Sequence, residues 1–326
     1  MTSPTRLTAS LLALLATSAG VVNAADAPLK LVQTIKLEGV AGKLDHLEVD
    51  PAGHRLFVAN KPNNTLDVVD LKTGTLVTQV AGQGKVSGVA YAADLDTVFA
   101  GNGAGMCNAF SGKDYAAGFS AKCPGADNVH YDATSHQVFV GQGETLSVLD
   151  AKTGALKTAV KLPGAVHGFQ IDAKAGKLYA VLTKPSVVAV IDLSKLTVAD
   201  QWPLTLSDAG SPAALDVAGG VLFVGCPKKP TVVAFDAATG KELGAVAIPA
   251  GVDDIHYDAD RKRLYASCGD GALVVVEKSG AKYAVTATIE TPMNSRTSAY
   301  AAGKLYLGVP RQAGEDGPEI RVYEAK

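Results

Sequence analysis

The chain has 326 residues, of which 47% are hydrophobic and 19% are charged, and its formal net charge at pH 7 is −2. This balance argues against a nucleic-acid-binding protein, which would carry a basic excess, and the apolar fraction excludes a disordered chain. The length allows one large domain or two ordinary ones.

The first 24 residues have the pattern of a secretory signal peptide. Arg6 is their only charged residue, an apolar stretch over residues 11–15 follows it, and small residues at 22–24 end the segment. The apolar stretch is too short for a membrane anchor, which needs about 20 apolar residues. No cysteine near Ala24 offers a site for a lipid. We therefore expect a soluble periplasmic protein whose mature chain, residues 25–326, forms one domain.

A short apolar block, an aliphatic residue followed by an aromatic one, recurs seven times at spacings of 40 to 44 residues. The copies are Leu56-Phe57, Val98-Phe99, Val138-Phe139, Leu178-Tyr179, Leu222-Phe223, Leu264-Tyr265 and Leu305-Tyr306. A fixed period of this length indicates a repeat architecture. The recurring pair is therefore the reference point for comparing the copies.

Each copy contains about four short runs rich in β-branched residues and bounded by turn residues, and none has a sustained helical period. Four strands in about 40–45 residues are typical of one propeller blade. The sequence therefore predicts an all-β, seven-bladed β-propeller with four-stranded antiparallel blades. The seventh copy has strands near 296–300, 304–309 and 319–324 and lacks a fourth. We predict that the N-terminal strand at 31–37 closes this last blade and removes an exposed edge.

The first copy carries a family resemblance. Residues 56–60 read LFVAN, residues 63–70 read NNTLDVVD, and a Thr-Gly turn follows at 73–74. This stretch resembles the YVTN family of β-propeller repeats, and the other copies match it in part. The resemblance implies a WD40-like ring of seven blades and carries over no catalytic residue.

Polar residues recur at fixed distances before the aliphatic–aromatic pair. In a propeller the first strand of each blade lines the central channel, so these residues should meet around the axis although they are distant in sequence. In the last copy, Asn294, Ser295 and Thr297 stand at the same distances before the pair as Asp45, His46 and Glu48 do in the first copy. The candidate ligand-binding residues are His46, Glu48, Asp127, Asn128, His130, His167, Gln170, Asp253, Asp254 and His256.

Three interpretations of this polar layer are open: a hydrated channel mouth, a funnel that binds an organic molecule, or a metal site. Imidazole and carboxylate ligands suit zinc or another divalent first-row ion, and the metal candidates are His46, His130 and His256. A metal site needs three or four ligands around one point, which the repeat spacing alone does not establish. No cofactor is otherwise indicated, because the cysteine contexts contain no haem-attachment motif.

The four cysteines are candidates for disulfide bonds because export permits oxidation. Cys107 and Cys123 belong to the same predicted face and form the favoured pair. Cys226 and Cys268 occupy one repeat position in adjacent blades and form a less favoured pair, because a bridge requires their Cα atoms to lie within roughly 7 Å across the two blades. A reduced Cys226 would instead be a soft ligand for copper.

The leading functional hypothesis is a periplasmic binding or scaffold protein that presents its polar funnel to a small molecule, a peptide or a protein partner. The alternative is a metal-assisted hydrolase or lyase, similar to a lactonase, in which His256 with Asp254 or Glu48 forms the first pair to inspect. We expect a monomer, since segment 198–202 of an outer strand does not suggest a large apolar patch. Fold alone does not decide between these hypotheses.

Overall fold

The structure is a computed structural model that describes residues 27–37, 42–123 and 126–326. The predicted signal peptide, residues 1–24, lies outside the described residues. Within them every regular element is a β-strand, and they contain no helix that is long and apolar enough to cross a membrane. The prediction of an all-β protein is therefore confirmed.

The strands are short, and most contain five to eight residues. In the first half of the chain they are β1 Leu29–Lys36, β2 Leu47–Asp50, β3 Arg55–Asn60, β4 Thr65–Asp70, β5 Thr75–Val80, β6 Val86–Ala92, β7 Thr97–Asn102, β8 Met106–Ser111, β9 Ala117–Lys122, β10 Asn128–Asp132, β11 Gln137–Asp150, β12 Leu156–Asp172 and β13 Lys177–Leu182. In the second half they are β14 Val187–Asp192, β15 Thr197–Pro203, β16 Ala213–Asp216, β17 Val221–Cys226, β18 Thr231–Asp236, β19 Glu242–Ala247, β20 Val252–Asp258, β21 Arg263–Cys268, β22 Ala272–Ser279, β23 Lys282–Glu290, β24 Thr297–Ala301, β25 Lys304–Val309 and β26 Glu319–Ala325.

These strands form antiparallel sheets, most of them four-stranded. Four sheets are simple meanders in chain order: β2 to β5, β6 to β9, β16 to β19 and β20 to β23. A further four-stranded sheet has the order β1-β26-β25-β24, and a six-stranded sheet runs from β10 to β15. Consecutive strands joined by short turns account for this local pairing.

The six-stranded sheet contains two long strands, β11 and β12, and each pairs with different neighbours along its length. The first part of β11 pairs with β10, and its second part pairs with the first part of β12. The second part of β12 then pairs with β13. Gly143 pairs with Val166 where the two parts meet. The sheet therefore contains two four-stranded halves that remain continuous at this junction.

The N-terminal strand β1 pairs with the C-terminal strand β26, as predicted for the last sheet. The register runs antiparallel from Leu29 opposite Ala325 to Lys36 opposite Glu319. The Lys326 N–H also donates to the Pro28 carbonyl, with an N···O distance of 3.0 Å that is typical of a backbone hydrogen bond. The two ends of the described chain are thus joined in one sheet.

The apolar core of the described residues is divided into seven clusters, each between two consecutive sheets or sheet halves. In the sheet that begins with β2, for example, Leu56 and Val58 face the sheet of β1, whereas Phe57 and Ala59 face the sheet of β6. Alternation along each strand thus provides two apolar faces. The first strands contact one another in order, β2 with β6, β6 with β10 and so on, and the last, β24, contacts β2.

Candidate functional site

A cavity of about 340 Å³ opens where the first strands of the sheets converge. All ten residues selected from the sequence line it, which are His46, Glu48, Asp127, Asn128, His130, His167, Gln170, Asp253, Asp254 and His256. The repeat pattern therefore brings these side chains together although more than 200 residues separate the first from the last.

Strand alternation explains how one strand contributes to both the cavity and the core. In β2, Leu47 and Val49 are each 6% exposed and belong to an apolar cluster. Glu48 and the residue directly before β2, His46, supply ionisable side chains to the cavity lining. Glu48 lies opposite Phe57, the aromatic residue of the first repeat pair, in the neighbouring strand. Residues equivalent to Glu48 take the same place in the other sheets, opposite the aromatic residue of each repeat.

The last sheet departs from the predicted alignment by two residues. Its first turn contains only Ala302 and Gly303, whereas the other sheets have four residues between their first two strands. Ala299, not Thr297, therefore lies opposite Tyr306 and is equivalent to Glu48. By the same shift the equivalent of Asp45 is Arg296. The predicted equivalence of Asn294, Ser295 and Thr297 to Asp45, His46 and Glu48 is therefore wrong by two residues.

The first strands of neighbouring sheets approach each other closely in the cavity wall. A Cβ atom at Gly88 would lie 2.1 Å from the Asp127 carbonyl oxygen, and one at Gly168 would lie 2.4 Å from the Ser211 carbonyl oxygen. Real Cβ atoms do not approach other atoms so closely, so only glycine allows these first strands to lie side by side. The His46 N–H donates to the Ser87 carbonyl at 3.3 Å on the same wall.

An ion pair between His46 and Asp254 lies inside the cavity. The Nδ1 of His46 is 3.3 Å from Asp254 Oδ1, and the side chains are 23% and 14% exposed. Asp254 also accepts a hydrogen bond from the Ser298 N–H at 2.9 Å. Burial, the largest single effect, would lower the pKa of His46, but the charge and hydrogen bond of Asp254, together with the charges of Asp45 and Asp253, outweigh it and raise the pKa to about 10. His46 is therefore a cation at neutral pH.

Two further ion pairs are formed by residues that line the cavity. Lys61 Nζ is 2.8 Å from Asp45 Oδ2 and also donates to Ser87 Oγ at 2.6 Å. Burial opposes ionisation of Asp45, but His46 and Lys61 outweigh it and lower its pKa. Arg296 Nε is 2.9 Å from Asp253 Oδ2 in the second pair. Burial, followed by the charge of Asp254, raises the pKa of Asp253.

Glu48 and His130 also line the cavity, and neither takes part in an ion pair among the described residues. Burial raises the pKa of Glu48 to about 7, opposed only by a hydrogen bond from the Val49 backbone. Burial, followed by repulsion from His46, lowers the pKa of His130 to about 4. The His130 ring packs against Phe169 with a centroid distance of 4.4 Å. At mildly acidic pH both side chains are uncharged hydrogen-bonding groups.

Three further selected side chains, His256, Gln170 and Asn128, form hydrogen bonds with Ser298 or with backbone carbonyls. His256 Nε2 is 3.0 Å from Ser298 Oγ, and burial, opposed by the charge of Asp254, lowers its pKa. Gln170 Nε2 donates to the Ala213 carbonyl at 2.8 Å, and Asn128 Nδ2 donates to the His167 carbonyl. These bonds link neighbouring sheets, or the two halves of the six-stranded sheet, at the cavity wall.

The metal hypothesis receives no support from the geometry. Among the residues described, no group of three or more His, Cys, Asp or Glu side chains is arranged to hold a metal ion. His46 is engaged by Asp254 and His130 by the ring of Phe169. A ready-made site at His46, His130 and His256 is therefore absent.

The four cysteines are free, buried thiols in the structure. Cys107 and Cys123 share one apolar cluster, and burial followed by the influence of Cys123 raises the pKa of the Cys107 thiol. Burial also raises the pKa of Cys226 and of Cys268. High thiol pKa values disfavour the thiolate form needed for metal binding and exchange. The structure contains neither of the two disulfide bonds considered from the sequence, and none of the four thiols lines the cavity.

Sequence reasoning missed three cations of the lining, Lys43, Lys61 and Arg296, and the partner residue Ser298. Lys61 directly follows the second strand of its sheet, a position that comparison of first strands does not sample. The chain is thus an all-β protein of antiparallel sheets with a polar cavity at their convergence. Neither the family models nor the curated proteins include a match to it.

Proposed function

We propose that the chain is a seven-bladed β-propeller of the YVTN type. Five four-stranded sheets and a six-stranded sheet with two four-stranded halves are what seven blades require. The seven apolar clusters and the return of the first-strand contacts from β24 to β2 support the same architecture. Pairing of β1 with β26 would close the ring through the last blade.

We further propose an exported protein whose function is to bind a small molecule in the central cavity. The observation that carries this proposal is the convergence of all ten selected polar residues on one cavity. Its volume of about 340 Å³ falls at the lower end of the range for small-molecule sites, about 300–1,000 Å³. This size favours a small ligand over a folded partner that would need a broad surface.

The binding function is tested by identifying the small molecule that is bound to the protein. Protein recovered from the periplasm is analysed by native mass spectrometry, and the mature protein is screened by thermal shift against small polar compounds. The double variant His130→Ala/His256→Ala should lose the bound mass and the thermal shift. The matched control is His54→Asn/His136→Asn, which alters two histidines of turns outside the cavity that have positive φ, a conformation asparagine accepts.

The proposal fails if no small molecule accompanies the wild-type protein and no compound stabilises it. It also fails if the cavity double variant binds as tightly as the control. Export is tested separately by cell fractionation and N-terminal sequencing, which should find Ala25 as the first residue of periplasmic protein. Cytoplasmic protein that retains Met1 would contradict export. It would not affect the binding function, which the ligand experiments test separately.

A further inference from the structure

Two charged side chains of the cavity lining, one of each sign, have no charged partner. Six others form ion pairs with one another, which are His46 with Asp254, Lys61 with Asp45 and Arg296 with Asp253. Lys43 and Asp127 also line the cavity, and neither takes part in an ion pair among the described residues. The cavity therefore offers one free cation and one free anion to a ligand.

Backbone pairing places Asp127 in the same layer of the cavity as the Lys61–Asp45 pair. The Asp45 N–H donates to the Ala59 carbonyl at 2.8 Å, and the Asp127 N–H makes the equivalent bond to the Gly141 carbonyl at 3.3 Å. Ser87 takes this position in the sheet between them.

Lys61 spans the first two of these three positions. Its Nζ is 2.8 Å from Asp45 Oδ2 and 2.6 Å from Ser87 Oγ. Asp127 follows at the third position, and Lys43 precedes Asp45 by two residues. The charges along this part of the layer therefore alternate in sign, from Lys43 at one end to Asp127 at the other.

Electrostatic coupling agrees with this order. Burial would raise the pKa of Asp45, but neighbouring cations, Lys43 among them, lower it. Burial would lower the pKa of Lys61, but Asp45, followed by Asp127, raises it. Lys43 thus acts on the Asp45 end of the ion pair and Asp127 on the Lys61 end.

Both end groups are open to an entering ligand, because Lys43 is exposed and Asp127 is half-buried. A ligand with a single charge could pair with one of them and would present a like charge to the other. A ligand with both charges could pair with both. The three existing ion pairs would stay intact, whereas separating one of them would leave a partly buried charge without compensation.

We propose that the cavity binds a small zwitterion, a free amino acid or a short peptide, with its carboxylate at Lys43 and its ammonium group at Asp127. This inference rests on the proposed binding function and names the chemical class of its ligand. The two roles follow from hydrogen-bonding chemistry, because a lysine ammonium group only donates and an ionised aspartate only accepts. Hydrogen bonds between charged groups are also stronger than those between neutral groups.

The first experiment varies the distance between the two charges of the ligand. Alanine, dialanine and trialanine carry them at increasing separation, and serine, leucine and glutamine vary the side chain of a free amino acid. Binding to the mature protein is measured by titration calorimetry at pH 6, where both termini of these compounds are ionised. At least one compound should bind, and the best member of the alanine series distinguishes a free amino acid from a peptide.

The second experiment removes the charges of the best compound one at a time. Its N-acetyl derivative keeps only the carboxylate, its amide keeps only the ammonium group, and its N-acetyl amide keeps neither. The zwitterion should bind about tenfold or more tightly than each derivative. A derivative that binds as tightly as the zwitterion would overturn the inference.

Variants of the two end groups assign the contacts. Lys43→Gln should weaken the zwitterion and the N-acetyl derivative about tenfold and leave the amide within about threefold. Asp127→Asn should weaken the zwitterion and the amide and spare the N-acetyl derivative. The matched control Lys174→Gln/Asp208→Asn alters exposed residues outside the cavity lining and should leave every affinity unchanged. Melting curves establish that each variant is folded.

Three outcomes would overturn the inference and leave the binding function standing. In the first, Lys43→Gln and Asp127→Asn weaken all four compounds equally. In the second, Glu48→Gln and not Asp127→Asn removes the preference for the ammonium group. In the third, a small molecule of another class is bound to the protein and no zwitterion of the panel binds. Absence of any bound or stabilising small molecule would instead defeat the proposed function itself, so the two failures are distinguishable.

Discussion

Replacement of Asp254 by asparagine removes the charge that holds His46 in its protonated form. The substitution Asp254→Asn keeps an oxygen that can accept the Ser298 N–H bond. Raising the pKa of His46 from 6.5 to about 10 corresponds to about 5 kcal/mol of pairing free energy at the limit. Because both side chains are partly exposed, we expect a loss of about 3 kcal/mol in the free energy of unfolding at pH 5.5.

The sign of the pH dependence follows from linkage. A group whose folded pKa is raised contributes stability that is complete below its unfolded pKa, here 6.5, and that is lost as the pH rises through about 10. At pH 9.5 the difference between wild type and variant should therefore shrink to about 1 kcal/mol or less. The shifted pKa values of Glu48 and His130 affect both proteins similarly and largely cancel in this difference.

Urea denaturation of wild type and Asp254→Asn at pH 5.5 and 9.5 measures these free energies. His46→Gln serves as the matched control, and Asp254→Asn introduced into it should cost much less at pH 5.5 because the cation is already gone. A loss that is the same at both pH values would refute the reasoning. It would mean that Asp254 stabilises the protein through packing or through the Ser298 N–H bond.

Three further predictions concern closure, strand spacing and the thiols. Deleting residues 25–38 removes β1 with buried Ile35 and Leu37, and should lower the melting temperature by about 10 °C or more; an unchanged melting curve would contradict closure by β1. Gly88→Ala should lower the unfolding free energy by about 1–3 kcal/mol because a Cβ there overlaps the Asp127 carbonyl, whereas Gly84→Ala, whose nearest contact is 3.6 Å, should be nearly neutral. Because the four cysteines are free in the structure, all four thiols should react with a thiol reagent in denatured, unreduced protein. A count of two reactive thiols would contradict this prediction and indicate one disulfide bond.

Much of the strand order could be predicted because each repeat carries its own local signals. Short β-branched runs and turn residues located the strands, and the missing fourth strand of the last copy pointed to β1 as its partner. The continuity of β11 with the second half of its sheet was not predictable. It depends on the backbone path through Gly143 and on pairing with Val166, a residue of a different repeat.

The positions of the candidate site were predictable, and its charge state was not. Alternation and the repeat spacing assigned His46 and Glu48 to one face of β2. The pairing of His46 with Asp254 joins first strands that are not neighbours along the sequence, and no repeat pattern specifies it. Arg296 was missed because the turn between β24 and β25 is two residues shorter than the corresponding turns of the other sheets. An alignment by distance from the aliphatic–aromatic pair is therefore wrong by two positions for every residue that precedes this turn.

The pairing of β1 with β26 has a consequence for the order in which the protein can assemble. Leu29 and its partner Ala325 are 296 positions apart in the sequence, so this contact carries one of the largest loop-closure costs in the chain. Meanders such as β2 to β5 can form from local contacts as soon as their own residues are available. The sheet that joins the two ends must wait for the final strand, and until then β1 is a hydrophobic edge in need of protection from other chains.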